Sequence, residues 1–153
     1  AHASASVIVT PLNDSFVDFD LLAGVDPETY EAKAPAVYAE FVWESRKRHM
    51  IEKRRTIDWL VVRNRMSSLE TRNQRRVSEA LTKLSQRIGF RLAPGLSERV
   101  VYRELFPKGL TVLDLIEGKT KGITMGQIAA RAEVRALVAA LRLPQLSRIA
   151  AAG

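Results

Sequence analysis

Thr56-Ile57-Asp58-Trp59-Leu60-Val61-Val62-Arg63-Asn64-Arg65-Met66 is a short apolar run that ends in a polar pair, Asn64 and Arg65. A continuous apolar run of this length suits a parallel strand covered on both faces. Ser67 to Ile88 follows with helical spacing. Val77, Leu81, Leu84 and Ile88 form one apolar stripe, and Ser67-Ser68-Leu69-Glu70 reads as the capping box that starts the helix. Gly89 suits the position just past the helix end. Strand, polar pair and helix together give the layout of a nucleotide-binding α/β sheet, where ligands lie beyond the carboxyl ends of the strands.

Toward the amino terminus, residues 5–10 (Ala-Ser-Val-Ile-Val-Thr) read as another buried strand, ended by Pro11. Asn13, Asp14 and Ser15 then fall at its carboxyl end, and Asp14 or Ser15 caps a first helical turn from Phe16 to Leu22. Asp14, Asp18 and Asp20 read as caps and solvated groups, the alternative being a catalytic carboxylate pair. Gly24 to Lys33 reads as a polar, acidic connection. Pro35 starts a helix from about Ala36 to Arg54, with Val37, Tyr38, Phe41, Val42 and Ser45 on one face.

Toward the carboxyl terminus, Phe90-Arg91-Leu92-Ala93 is a third strand, broken by Pro94-Gly95. Val100 to Phe106 is a short helix stopped by Pro107 and Gly109. Leu110 to Ile116 is a strand or a helical turn, and residues 118–122 form a loop. Thr124-Met125-Gly126-Gln127 is a second capping box. It opens a helix to about Leu141 with Ile128, Val134, Leu137, Val138 and Leu141 inward, and Pro144 ends it. The order of strands and helices gives an α/β sheet with right-handed crossovers. Three strands are few for such a sheet, and the chain reads as the second half of a larger domain, residues 1–143, with a tail from 144 to 153.

The 153 residues suffice for one packed domain. With 46% hydrophobic and 27% charged residues the chain is globular in composition. Its apolar runs are far shorter than the ~20 residues that span a bilayer, and Ala1-His2-Ala3-Ser4 does not read as a signal peptide. It has no cysteine, hence no disulfide or thiolate metal site, which is compatible with a cytoplasmic protein. His2 and His49 have no visible metal-binding partners. Residues 1–45 carry one basic residue and eight acids, residues 46–108 seventeen basic residues and six acids, and residues 109–153 six and three. The net charge of +7 is therefore concentrated in a middle third that would attract a polyanion.

A phosphate-binding loop needs Gly-x-x-x-x-Gly-Lys-Ser/Thr between a strand and a helix, and none is present. Gly118-Lys119-Thr120 imitates only its tail. Nor is there a G-x-S-x-G elbow or an H-E-x-x-H pair. The residues alone give half a nucleotide site and no complete catalytic apparatus.

Three segments carry a resemblance. They are Ile8-Val9-Thr10-Pro11-Leu12-Asn13-Asp14-Ser15-Phe16-Val17-Asp18-Phe19-Asp20, Asp58 to Arg65, and Gly89-Phe90-Arg91-Leu92-Ala93-Pro94-Gly95-Leu96-Ser97-Glu98-Arg99 through Pro107. In order and spacing they resemble the MipZ branch of the ParA/MinD ATPases, to about Leu143. The resemblance covers that family's carboxyl-terminal half. It implies a mostly parallel P-loop NTPase (Rossmann-like) sheet with flanking helices, its amino-terminal half absent. The deviant Walker A lysine and the magnesium-binding acid would lie upstream of Ala1, so the chain alone is expected to be inactive as an ATPase. The resemblance also implies ATP and Mg2+ as cofactors and ATP-driven homodimerisation. Non-specific binding of chromosomal DNA, a ParB-like partner and inhibition of FtsZ polymerisation belong to the same expectation, with a cytoplasmic, nucleoid-associated location.

By the same resemblance Asn64, with Arg65, meets the adenine edge, and Pro94, Gly95 and Leu96 close over the base. An amide suits that role because it can both donate and accept. The plain alternative for Asn64 is a helix cap ahead of Ser67. DNA binding is expected from Arg72, Arg75, Arg76, Lys83 and Arg87 on one helix and from Arg99 and Arg103 after the base loop. Such phosphate contacts give affinity without sequence readout. The basic cluster 46–55 fits DNA, a protein partner or solubility. Two other readings compete: a basic α/β module that holds nucleic acid without nucleotide chemistry, and a MinD-like membrane-associated ATPase. The latter wants a bulky amphipathic tail, and Leu146 to Gly153 is short and alanine-rich, so no membrane contact is expected.

Overall fold

The computed structural model describes residues 2–13, 15–67, 71–115 and 122–143. Strand β1 (Val7–Asn13) pairs in parallel with β4 (Asp58–Asn64), and β4 with β5 (Arg91–Ala93), giving the sheet order β1-β4-β5. The central strand is buried from Trp59 to Val62, as its unbroken apolar run requires. Helices α2 (Val37–Lys53) and α3 (Arg72–Ile88) lie in the two connections of this sheet. The mixed α/β architecture is that of a partial Rossmann-like P-loop sheet, as expected.

The main core joins Ile8 and Leu12 of β1, Trp59 and Val61 of β4, Val42 of α2, and Val77, Leu81 and Leu84 of α3. Phe90 closes it against Trp59, ring centroids 5.4 Å apart. The Trp59 indole donates to the Thr10 hydroxyl (3.0 Å), which also bonds Tyr38 Oη (2.8 Å), so the polar atoms buried here are paired. A second, smaller core lies under α4 (Val100–Leu105) and α5 (Met125–Ala140), built from Val101, Leu105, Val112, Leu115 and Ala130.

Several boundaries differ from the sequence reading. Pro11 does not end β1; it sits inside the strand, opposite Val62. Among the described residues β1 pairs on one side only, where a missing N–H is tolerated. The connection after Gly24 is a two-stranded antiparallel hairpin, β2 (Ala23–Val25) with β3 (Ala32–Pro35). Pro35 ends that hairpin, and Ala36 precedes the first turn of α2. The buried face of α2 is Ala39, Val42, Ser45 and His49. Tyr38 is half-buried, while Val37 and Phe41 face outward, and Phe41 packs edge-on to the His2 ring. His49 is a satisfied core residue with Nδ1 2.8 Å from the Ala3 carbonyl.

The helix α3 starts at a capping box of Thr71 with Gln74, and the expected box of Ser67 with Glu70 rests on Glu70, outside the described residues. Thr71 Oγ1 accepts from the Gln74 amide (3.2 Å), and Gln74 Oε1 from the Thr71 amide (2.9 Å). Residues 68–70 lie outside the described residues. Ser15 caps the short helix α1 (Phe16–Phe19), and the Asp18 carboxylate accepts from the Asn13 amide at 2.8 Å, a capping role. Asp14 is not among the described residues.

Pro107 tightens the end of α4 into a 3-10 turn (Phe106–Lys108), closed by Gly109 at φ +66°. The segment left open as strand or turn is a 3-10 turn, Val112–Asp114, capped by Thr111. Thr124 and Gln127 form the expected box on α5. Ala130 is the fully buried residue of that helix; Val134, Leu137, Val138 and Leu141 are half-buried and Ile128 is exposed. Of the expected loop at 118–122, residues 118–121 lie outside the described residues, as does the tail from 144.

Candidate nucleotide and nucleic-acid sites

The end of β4 is where the sequence expects a ligand, and a cleft of about 460 Å³ opens there. Asn64 and Arg65 line it from the strand, Leu96 to Arg99 from the following loop, and Tyr102 and Arg103 from α4. Its size is that of a small-molecule site. Arg65 holds φ +53°, the left-handed region, so the chain turns sharply as it leaves the strand. Its guanidinium pairs with Glu98 at 3.1 Å. Asn64 is half-buried, and its side-chain amide makes no hydrogen bond among the described residues. It does not cap α3, since Thr71 does.

The loop after β5 is fastened to the end of β4 by backbone bonds. Leu96 N–H donates to Arg63 C=O (2.8 Å), Met66 N–H to Leu96 C=O (3.0 Å), and Glu98 N–H to Met66 C=O (2.9 Å). Gly95 permits this approach: a Cβ there would lie 2.2 Å from Met66 Sδ and 3.2 Å from the Arg63 carbonyl oxygen. Pro94 and Gly95 thus set the loop's path, and Leu96 reaches the cleft itself.

A carboxylate from α5 holds the far side. Glu133 accepts from the Ser97 amide (3.1 Å), the Ser97 hydroxyl (2.9 Å) and the Arg99 guanidinium (2.6 Å). Burial opposes its ionisation, but Arg99 and Ser97 outweigh that and hold its carboxyl below the usual range. The bond to Glu133 likewise raises Arg99. Burial pushes the Tyr102 phenol up, and the Glu133 charge adds to this, so its hydroxyl stays protonated. Ser97, Glu98, Tyr102 and Glu133 carry no signal of their own in the sequence as site residues. Glu133 is 36 positions from Ser97, and only the packing of α5 joins them.

The expected DNA-binding residues fall into two places. Arg72, Arg75, Arg76, Lys83 and Arg87 are all exposed along α3. Arg72 makes no ion pair among the described residues. Three of the others touch the β2–β3 hairpin. The Arg76 guanidinium stacks 4.6 Å over the Tyr30 ring, Lys83 lies 3.7 Å from Glu31, and Arg87 donates to the carbonyls of Ala32 (2.6 Å) and Lys33 (3.0 Å). Arg99 and Arg103 instead line the cleft at β4, Arg99 locked to Glu133 and Arg103 loosely paired with Glu98 at 3.6 Å. In the basic cluster, Arg46 caps the Gly89 carbonyl at 2.8 Å, while Arg48, Lys53, Arg54 and Arg55 are exposed and unpaired among the described residues.

The Asn64 amide, without a partner among the described residues, thus stands beside a loop whose path is fixed by backbone bonds. Among the described residues no cluster of three His, Asp or Glu side chains is placed to hold a metal ion. No helix among the described residues is long and apolar enough to cross a membrane.

A search of curated proteins returned no match. A family model described as ATPase MipZ matches residues 1–145, a span that holds the parallel sheet, the cleft at the end of β4 and the basic helix α3. The chain belongs to the MipZ family of ATPases.

Proposed function

We propose that this chain carries the base-binding and DNA-binding part of a nucleotide-controlled, dimerising ATPase that positions the division plane. In this reading ATP, with Mg2+ held mainly by residues outside this chain, drives homodimerisation. The dimer binds chromosomal DNA without sequence preference, works with a ParB-like protein, and restrains FtsZ polymerisation. The observation that carries the nucleotide assignment is the Asn64 amide, unpartnered among the described residues, beside the fixed loop 94–98. Asn64 would read the base edge and Leu96 would cover its face. Pro94 and Gly95 shape the loop, and Arg65 positions it through Glu98.

The DNA assignment rests on the exposed cations of α3. They offer phosphate contacts, and none of the residue types there forms a base-reading pattern. Arg103 can add to them. Arg99 is engaged by Glu133 and serves the cleft first. The second reading, a basic α/β module without nucleotide control, draws on the same charge.

Titration of the full-length protein onto a random-sequence duplex, with and without MgATP and at two salt concentrations, separates them. Binding that requires MgATP and weakens steeply with salt supports the nucleotide-controlled reading. Equal binding in both nucleotide states would leave the basic module.

A further inference from the structure

The cations of α3 do not share one environment. Arg76, Lys83 and Arg87 recur at seven- and four-residue spacing and face the β2–β3 hairpin, whereas Arg72 is unpaired among the described residues. The hairpin tip is acidic, with Asp26, Glu28 and Glu31 against Lys33. Asp26 organises it by accepting from the Glu28 and Thr29 amides, both at 2.9 Å, and pairing with Lys33 at 3.1 Å. Those amides, more than Lys33, hold its carboxyl far below the usual range. Tyr30 sits at φ +59°, a conformation a tyrosine rarely adopts. That turn sets its ring beneath Arg76 and 5.2 Å from Phe16.

A cleft of about 480 Å³ remains between the hairpin and α3. Glu28 and Glu31 line it from the hairpin, and Arg76, Lys83 and Arg87 line it from α3 together with Glu79. A phosphate that approaches these cations meets the carboxylates in the same space, and their charge cancels much of the local positive potential. The charged contacts between the hairpin tip and α3 are ones that a polyanion can replace, while Val25 and Ala32 below the tip pack against the main core. The Lys83–Glu31 pair is about 70% exposed on both sides, with side chains at 71% and 68%. Two-stranded ribbons are marginal by themselves, while the root of this one, Leu22 and Ala23, is fully buried. Lifting the tip would break the Tyr30 contacts with Arg76 and Phe16 while the root stays in the core.

We propose that the β2–β3 hairpin is an acidic strap that competes with nucleic-acid phosphates for the Arg76, Lys83 and Arg87 side of α3. The proposal rests on the reading of α3 as a DNA face and names its regulation. The strap keeps part of the stripe neutralised, so the first phosphate contacts fall to Arg72, and full engagement requires the tip to yield.

The test compares two isosteric double variants of the full-length protein that change net charge equally. Glu28→Gln with Glu31→Gln removes strap charge; Glu40→Gln with Glu52→Gln removes exposed acids on α2. Affinity for a random-sequence duplex is measured with MgATP over a salt series, alongside melting curves. The strap pair is expected to bind about two- to fivefold tighter, the span of one exposed ion pair. Its plot of log affinity against log salt should be steeper by about one unit for each added phosphate contact. Adding Lys83→Ala to the strap pair should abolish the gain. Equal gains from both pairs would make the effect one of net charge and overturn the strap. No gain from the strap pair, with wild-type binding intact, would overturn it as well. Wild-type protein that binds no DNA in either nucleotide state would instead remove the underlying reading of α3, and the strap with it.

Discussion

Asn64 is a residue whose place follows directly from the pattern around it. An apolar run that ends in an amide predicts a buried strand with a polar group at its carboxyl end, and β4 ends on Asn64. The alternative role as a cap is removed by Thr71, which satisfies the helix start itself. Gly95 is legible in the sequence only as a chain break. Its deeper requirement is the close passage of Met66 and the Arg63 carbonyl, which sequence spacing does not express. Gly95→Ala is expected to destabilise the protein by about 1–3 kcal/mol through overpacking. Denaturant unfolding checks this, and a wild-type midpoint would contradict it. Glu133 has no signal at all in the sequence, because its partners come from another element. Glu133→Gln keeps an acceptor for Ser97 but leaves Arg99 without its counter-charge. It should cost on the order of 1–3 kcal/mol and weaken nucleotide binding; unchanged unfolding and unchanged ATP affinity would refute its role as the loop's anchor.

At the level of elements, the helices are legible where apolar residues repeat without interruption. The inward stripe of α3, Val77, Leu81 and Leu84, is buried as spacing predicts. Its start differs from the expected one because two successive four-residue stretches both carry capping chemistry, and local pattern cannot choose between them. The face of α2 follows the sequence only in part. Large side chains point to Val37 and Phe41 as inward, whereas the buried residues are Ala39, Val42, Ser45 and His49. The hairpin escapes a sequence reading because its strands are three and four residues long and mostly half-exposed or exposed, leaving little apolar alternation to read. For α3 the DNA reading predicts that Arg72→Ala with Arg76→Ala weakens binding about equally on all sequences. It should also reduce the salt slope by about two units if both meet phosphates. A salt series on two unrelated duplexes decides this, and unchanged affinity would remove α3 from the interface.

Across the whole molecule, the α/β class and the order of the parallel strands follow from the sequence. The division into a sheet core and a smaller core under α4 and α5 does not, since half-buried residues of α5 resemble those of any amphipathic helix. Ion pairs join distant parts of the chain. The Arg91 guanidinium binds Asp58 across β4 and β5 and also donates to the Ala140 carbonyl at the end of α5 (2.9 Å). The Arg91 bonds hold the Asp58 carboxyl below its usual range, as Arg99 and Ser97 do for Glu133. Both groups have a lower pKa folded than unfolded. The stability they contribute is therefore full above the ordinary carboxylate value of about 4 and is lost as pH falls through the lower folded values. Melting temperature should stay level from about pH 8 to 5 and drop below about 4. Asp58→Asn should remove part of that drop, and an identical acid profile in the variant would contradict the assignment.

In the proposed function the cleft at the end of β4 holds the base of ATP. Calorimetric titration of ATP into the full-length protein and its Asn64→Ala variant tests it most directly. ATP binding should weaken by about 1–3 kcal/mol on loss of the amide, with an unchanged melting temperature for the unliganded protein. Wild-type affinity in the variant would contradict it and leave the cleft without its base-reading group.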